Sequence, residues 1–164
     1  MGKVSPVELV QLLRQPVLRI RTGILLVPPE FVGSEKDRAA RLDMDAVDLQ
    51  AWKLQHIGAS SRYLGLSWES LIRDLQAILS EPHRPGHCLL VYNLDLFLSA
   101  FDYTDRLCFW DFLRTTFKRG RGLLLCLPIQ ALHLLPQDQR ALWEDGGRLA
   151  VWERVGQDDE TAGG

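Results

Sequence analysis

The sequence predicts a single α/β domain, with a mostly parallel sheet of about five strands and helices on both faces in a three-layer sandwich. Three observations carry this. Strand-like and helical segments alternate along the chain. The best strands lie within "RIRTGILLV" (19–27), "HCLLVYNL" (87–94) and "LLLCLP" (123–128), and are continuous apolar runs, as strands buried on both faces are. Finally, 164 residues with 46% apolar side chains suit one sizeable core.

The elements follow in order. "SPVELVQLL" has Ser5 at the N-cap, Pro6 at the first helical position and Glu8 two further on, a capping box that opens a helix over about 5–15. After the strand ending at Val27, a turn-rich loop reaches Ser34, placed to cap a helix over "EKDRAARL". "MDAVDL" (44–49) is a short strand and "QAWKLQHI" a helix; Gly58 to Ser61 then break the chain. Ser67 caps "WESLIRDLQAILS", whose Leu71, Leu75, Ile78 and Leu79 share one face. "EPHRPG" is a turn before the strand at 87–94, and "TDRLCFWDFLRTTF" (104–117) is a helix ending at "KRGRG". The strand at 123–128 stops at Pro128; a short helix near 136–144 and the strand "RLAVWERV" (148–155) complete the domain, 1–155. The acidic, small-residue tail 156–164, "GQDDETAGG", is expected to be disordered.

A net charge of −2 and a pI of about 6.1 give the chain no global basic field. No apolar stretch approaches the roughly 18–20 residues that span a bilayer, and the amphipathic N-terminus lacks a signal-peptide pattern. Cys88, Cys108 and Cys126 are an odd, widely spaced set, two of them inside apolar runs, which predicts buried free thiols in a reducing cytoplasm. The histidines have no metal spacing, His83 and His87 flank a Pro/Gly turn, and no metal site is expected. No serine or cysteine occupies a G-x-S-x-G elbow.

Ligands of parallel sheets gather beyond the carboxyl ends of the strands. That puts 28–35, 92–95 and 128–133 on one edge, with His133 there as a surface residue. A phosphate loop follows G-x-x-x-x-G-K-[ST]: the glycines let backbone N–H groups curl round phosphate, the lysine neutralises it and the hydroxyl holds Mg²⁺. The window Pro28–Glu35 has that length and keeps only Gly33. Pro28 replaces the first glycine, Ser34 the lysine and Glu35 the Ser/Thr. Pro28 and Pro29 bring no N–H, and Glu35 puts negative charge where phosphate would lie. On this loop alone, an ordinary strand-to-helix turn accounts for the residues as well. After the second strong strand, where a Mg²⁺-holding acid would stand, come Tyr92, Asn93 and then Asp95. Glu35 and Tyr92 are expected to converge on one crevice. Restoring nucleotide binding is expected to need Pro28→Gly, Ser34→Lys, Glu35→Thr and Tyr92→Asp together. No cofactor is expected; ATP and Mg²⁺ enter only if the loop is an atypical working site.

The run "CLLVYNLDLFLSAFDYTDRLCFWDFLRTTFKRGRGLLLCLP" resembles the small P-loop component of BREX-type phage-defence systems. That family shows an apolar strand, an acid–Asn–Ile–Glu-like stretch, "LF", a helix, a basic or polar loop and another apolar strand ending near Pro. Asn93 and Asp95 match its polar positions, while Tyr92 replaces the acid. "MDAVDLQAWKLQHI" and "LGLSWESLIRDLQAIL" fit the same order upstream, so the likeness covers roughly 20–130. It implies a P-loop NTPase-like sandwich and a place in a phage-defence assembly. The departures at both nucleotide motifs imply a degenerate member.

The leading expectation is therefore a cytoplasmic pseudo-NTPase that binds other protein subunits without catalysis, with Trp68, Phe101 and Trp110 as candidate contacts. One alternative is an atypical ATP-binding or NTPase subunit. The other is a nucleic-acid-binding module using Lys118, Arg119 and Arg121 of "FKRGRG", although a helix C-terminus attracts such cations through its dipole in any case. This loop is expected on the edge opposite 28–35.

Overall fold

The apolar runs form one all-parallel sheet. The computed structural model describes residues 4–15, 18–56, 67–81, 88–118 and 120–152. Its strands are β1 (Thr22–Val27), β2 (Asp45–Asp48), β3 (Cys88–Tyr92), β4 (Gly122–Pro128) and β5 (Leu149–Val151). The order across the sheet is β2-β3-β4-β1-β5. β1 thus lies between β4 and β5, and one strand separates it from β3. The tail 156–164, the end of the last strand past 152, Gly58 to Ser61, His83, His87 and Arg119 lie outside the described residues.

Among the described residues seven helices cover the sheet: α1 (Pro6–Leu13), α2 (Glu35–Arg41), α3 (Leu49–Gln55), α4 (Trp68–Leu79), α5 (Asp95–Leu98), α6 (Tyr103–Thr115) and α7 (Gln137–Asp145). Side chains of a strand alternate between faces, so each continuous apolar run feeds two cores at once. Leu25, Val27, Leu90, Leu124, Cys126 and Ala150 pack under α1 and α2. Ile24, Leu26, Leu89, Val91, Leu125 and Leu149 pack on the other face with α3, α4, α6 and α7. Both faces of β1, β3 and β4 are thus covered, which the charged and polar residues of an alternating strand would not permit.

Two of the expected caps form as the sequence predicts. Ser5 and Glu8 exchange backbone-to-side-chain hydrogen bonds of 2.9 and 3.1 Å, and Ser67 Oγ accepts the Ser70 N–H at 3.1 Å. Ser34 does not cap α2. At φ −115° and ψ 20° it is not extended, and its hydroxyl instead donates to the Phe31 carbonyl at 2.8 Å. Also unforeseen are the four-residue α5 and two 3₁₀ stretches, Pro29–Phe31 and Ile129–Leu134.

Packing corrects two candidate partner contacts. Trp110 is 0% and Phe101 4% exposed. Trp110 meets Phe109 and Trp143 edge-on, and its Nε1–H donates to the Leu134 carbonyl at 2.9 Å. Phe101 packs against Phe109. Trp110 stands on α6 where it packs against α4 and α7, and Phe101 lies just before that helix against Phe109, so neither is available at a surface. Trp68 is partly buried against Phe112. Gly122 is needed where α1 crosses the start of β4: a Cβ there would stand 2.9 Å from the Leu13 carbonyl oxygen and 3.2 Å from Cys88 Sγ.

Cys88 and Cys126 are buried and all three thiols are free. Burial pushes the Cys88 thiol up to about 12, partly offset by Arg14 and Arg21. Burial also raises Cys126, and the charges of Glu35 and Asp95 add to it. Unfolding lets both ionise near their usual value of 9.0. The stability they support is intact below pH 9 and is lost as pH rises from 9 toward 12, by up to about 1.4 kcal/mol per pH unit for each thiol. Urea midpoints measured across this range should fall, and replacing both thiols by alanine should flatten the fall. A midpoint rising above pH 9 would contradict the burial.

Candidate functional site at the carboxyl edge of the sheet

Because all five strands are parallel, the segments after β1, β3 and β4 share one edge, as the sequence reading placed them. Val27 pairs with Pro128, and the β1 loop leaves the sheet beside the end of β4.

The loop's backbone donors decide what this edge can do. A phosphate loop points its N–H groups at the ligand. Pro28 and Pro29 have none. Phe31 N–H donates to the Pro28 carbonyl (2.9 Å), Val32 N–H to Pro29 (3.2 Å) and Ser34 N–H to Phe31 (3.0 Å). Gly33, in the left-handed region at φ 97°, donates to Glu35 Oε1 at 2.9 Å. The chain's own carboxylate therefore takes the one anion-seeking donor that the surviving glycine provides. Glu35 is 5% exposed, so a buried charge sits where a phosphate charge would have to go. Aromatic packing holds the turn in this form. Phe31 meets Trp152 edge-on, and the Arg38 guanidinium lies 3.8 Å over the Phe31 ring.

Tyr92 lies on the same sheet face as α2, half-buried against the core that includes Val27 and Cys126. Burial first, then the charges of Asp48 and Glu35, raise its phenol above the usual range. Glu35 thus acts on Tyr92 through its charge. Asn93 takes the left-handed backbone (φ 67°) that asparagine tolerates, and its Nδ2 donates to Asp48 Oδ1 at 3.0 Å. That oxygen also caps α3 through the Ala51 N–H. β3 ends at Tyr92, so Asp95 does not slip into the position of the missing acid; it opens α5 instead. His133 is exposed in the 3₁₀ stretch after β4. Among the described residues no group of three or more His, Cys, Asp or Glu is placed to hold a metal ion.

Three residues that the sequence reading passed over stand out on this edge. Val32, Leu96 and Ile129 are 45%, 48% and 37% exposed, one after each of the neighbouring strands β1, β3 and β4. Their place one to five residues past the end of a buried strand is a signal that the sequence carries. Near them in sequence, Glu30, Asp37 and Asp102 are exposed and Asp95 is half-buried; of the cations, Lys36 is exposed and Arg38 and Arg106 are half-buried. Elsewhere, a depression beside the Lys53–Asp74 ion pair and Phe97 encloses about 160 Å³ including open solvent, below the roughly 300 Å³ at which ligand pockets begin.

No protein-family model matches the chain, and no curated protein matches it. Among the described residues no helix is long and apolar enough to cross a membrane.

Proposed function

We propose that this chain is a non-catalytic, P-loop-like accessory protein that binds another protein subunit through the carboxyl edge of its sheet. The observation that carries the proposal is the self-satisfied loop: the N–H groups of residues 31–34 have acceptors within the chain, one of them Glu35. These donors are therefore taken and do not serve to cradle a triphosphate. The edge offers instead three exposed apolar side chains, with Glu30, Asp37 and Asp102 exposed close to them in sequence, which fits a partner with an apolar centre and a basic rim. The assembly we propose is the phage-defence complex that the run 88–128 resembles.

Val32→Asp, Leu96→Asp and Ile129→Asp together should abolish the association while leaving the melting temperature within a few degrees, because all three side chains are solvent-exposed. Tagged wild-type and triple-variant protein purified from native cells make the comparison. The expected result is one stoichiometric, identified subunit with the wild type, held at least about a hundredfold less tightly by the variant. Equal retention by both would move the interface elsewhere, and a wild type that purifies alone would remove the proposal.

A further inference from the structure

The segments 14–21 and 114–121 hold seven of the chain's 19 Lys and Arg and none of its 21 Asp and Glu. They lead into β1 and β4, which are neighbours, so both reach the amino edge of the sheet, opposite the site above. Arg21 fastens them together: its Nε donates to the Leu13 carbonyl and its Nη1 to the Gly120 carbonyl, both at 2.8 Å. Arg14 donates to the carbonyls of Leu42 and Asp43 at the end of α2. Arg148 donates to the carbonyls of Thr22 and Arg114.

Helix C-termini attract cations, which explains these positions locally. A carbonyl partner leaves the guanidinium charge in place, however. Within the two segments and among the described residues, Arg114 alone has a carboxylate partner, Asp111 at 2.9 Å. Arg121 Nη1 is buried without a hydrogen-bond partner, while Arg19 and Lys118 point into solvent. Burial, and then the charge of Arg114, lower Arg148 to about 10. In a chain of net charge −2 these two segments gather cations on one edge, which Asp43, after α2, and Asp145, at the end of α7, share.

We propose that this amino edge binds the phosphate backbone of duplex nucleic acid without reading its bases. Among the described residues, the exposed side chains of the two segments are Gln15, Arg19, Thr115, Thr116 and Lys118. They include no large apolar group to enter a bilayer or seat a protein hot spot, and no aromatic ring to stack the bases of a single strand. Cations with hydroxyls and amides are the equipment of phosphate contact. The structure thereby adds Arg19 and Arg21 to the basic loop visible in the sequence.

The test is fluorescence anisotropy of the full chain with a labelled 20-base-pair DNA duplex. About four phosphate contacts predict binding at 50 mM salt that weakens about a hundredfold at 200 mM and is the same for unrelated sequences. Arg19→Glu with Lys118→Glu should weaken binding at least about tenfold and lower the salt slope by about 2. Both side chains are exposed, so the variant should melt like the wild type. Absence of binding at 50 mM salt, or binding unchanged in the variant, overturns the proposal. So does equal or tighter competition by polyglutamate or by vesicles of anionic lipid at matched charge, which would make the edge a site for acidic protein or for membrane.

Discussion

Replacing the whole loop Pro28–Glu35 by a glycine-bearing phosphate loop ending in Lys-Thr, together with Tyr92→Asp, is expected to create Mg²⁺-dependent ATP binding. The four substitutions Pro28→Gly, Ser34→Lys, Glu35→Thr and Tyr92→Asp are not. From the sequence alone those four are the expected minimum, because each restores one missing group. In the structure, Glu35→Thr frees the Gly33 N–H and Tyr92→Asp supplies an acid. The N–H groups of Phe31, Val32 and Ser34 nevertheless stay bonded within the turn, and Phe31 stays clamped between Arg38 and Trp152. The cradle is a backbone conformation, and side chains alone do not rebuild it. A change from no binding at millimolar ATP to micromolar binding corresponds to about 4 kcal/mol. Equilibrium dialysis of both variants separates the two cases. Binding by the four-substitution variant would mean that the turn opens more easily than its hydrogen bonds indicate.

Trp110→Ala should be the most damaging single truncation of the aromatic core. It removes a fully buried indole, its edge-on contacts with Phe109 and Trp143, and the partner of the Leu134 carbonyl. The expected cost is about 4 kcal/mol, or about 10 °C in melting temperature for a domain of this size. Trp68→Ala, at a partly buried indole on α4, should cost less than half as much. Thermal denaturation of the two variants checks the order. Equal losses would put Trp68 in the core and contradict the packing.

The fold was legible where one local property governs structure. Strands buried on both faces must be apolar throughout, so β1, β3 and β4 show as runs, and the Ser5 box and Ser67 caps show in the residues that make them. Legibility failed where long-range neighbours decide. Trp68 and Trp110 both sit in helices rich in apolar residues, and only the packing of α6 between α4 and α7 separates them. Ser34 and Glu35 are both plausible hydrogen-bonding groups at a helix start; the 3₁₀ turn held by Phe31 on Trp152 gives the Gly33 N–H to Glu35. Arg21 and Gly120 meet because β1 pairs with β4, and strand order is not written in local pattern. At the candidate site the missing groups could be read directly, whereas the occupation of the donors required the backbone.

Calorimetric titration of the unmodified chain with ATP and Mg²⁺ tests the central claim most directly. With the donors of residues 31–34 bonded within the chain and the Glu35 carboxylate buried at the turn, the account predicts no saturable heat up to millimolar nucleotide. Saturable micromolar binding, lost when Asp95 is replaced by asparagine, would contradict it and make the chain an atypical nucleotide-binding subunit.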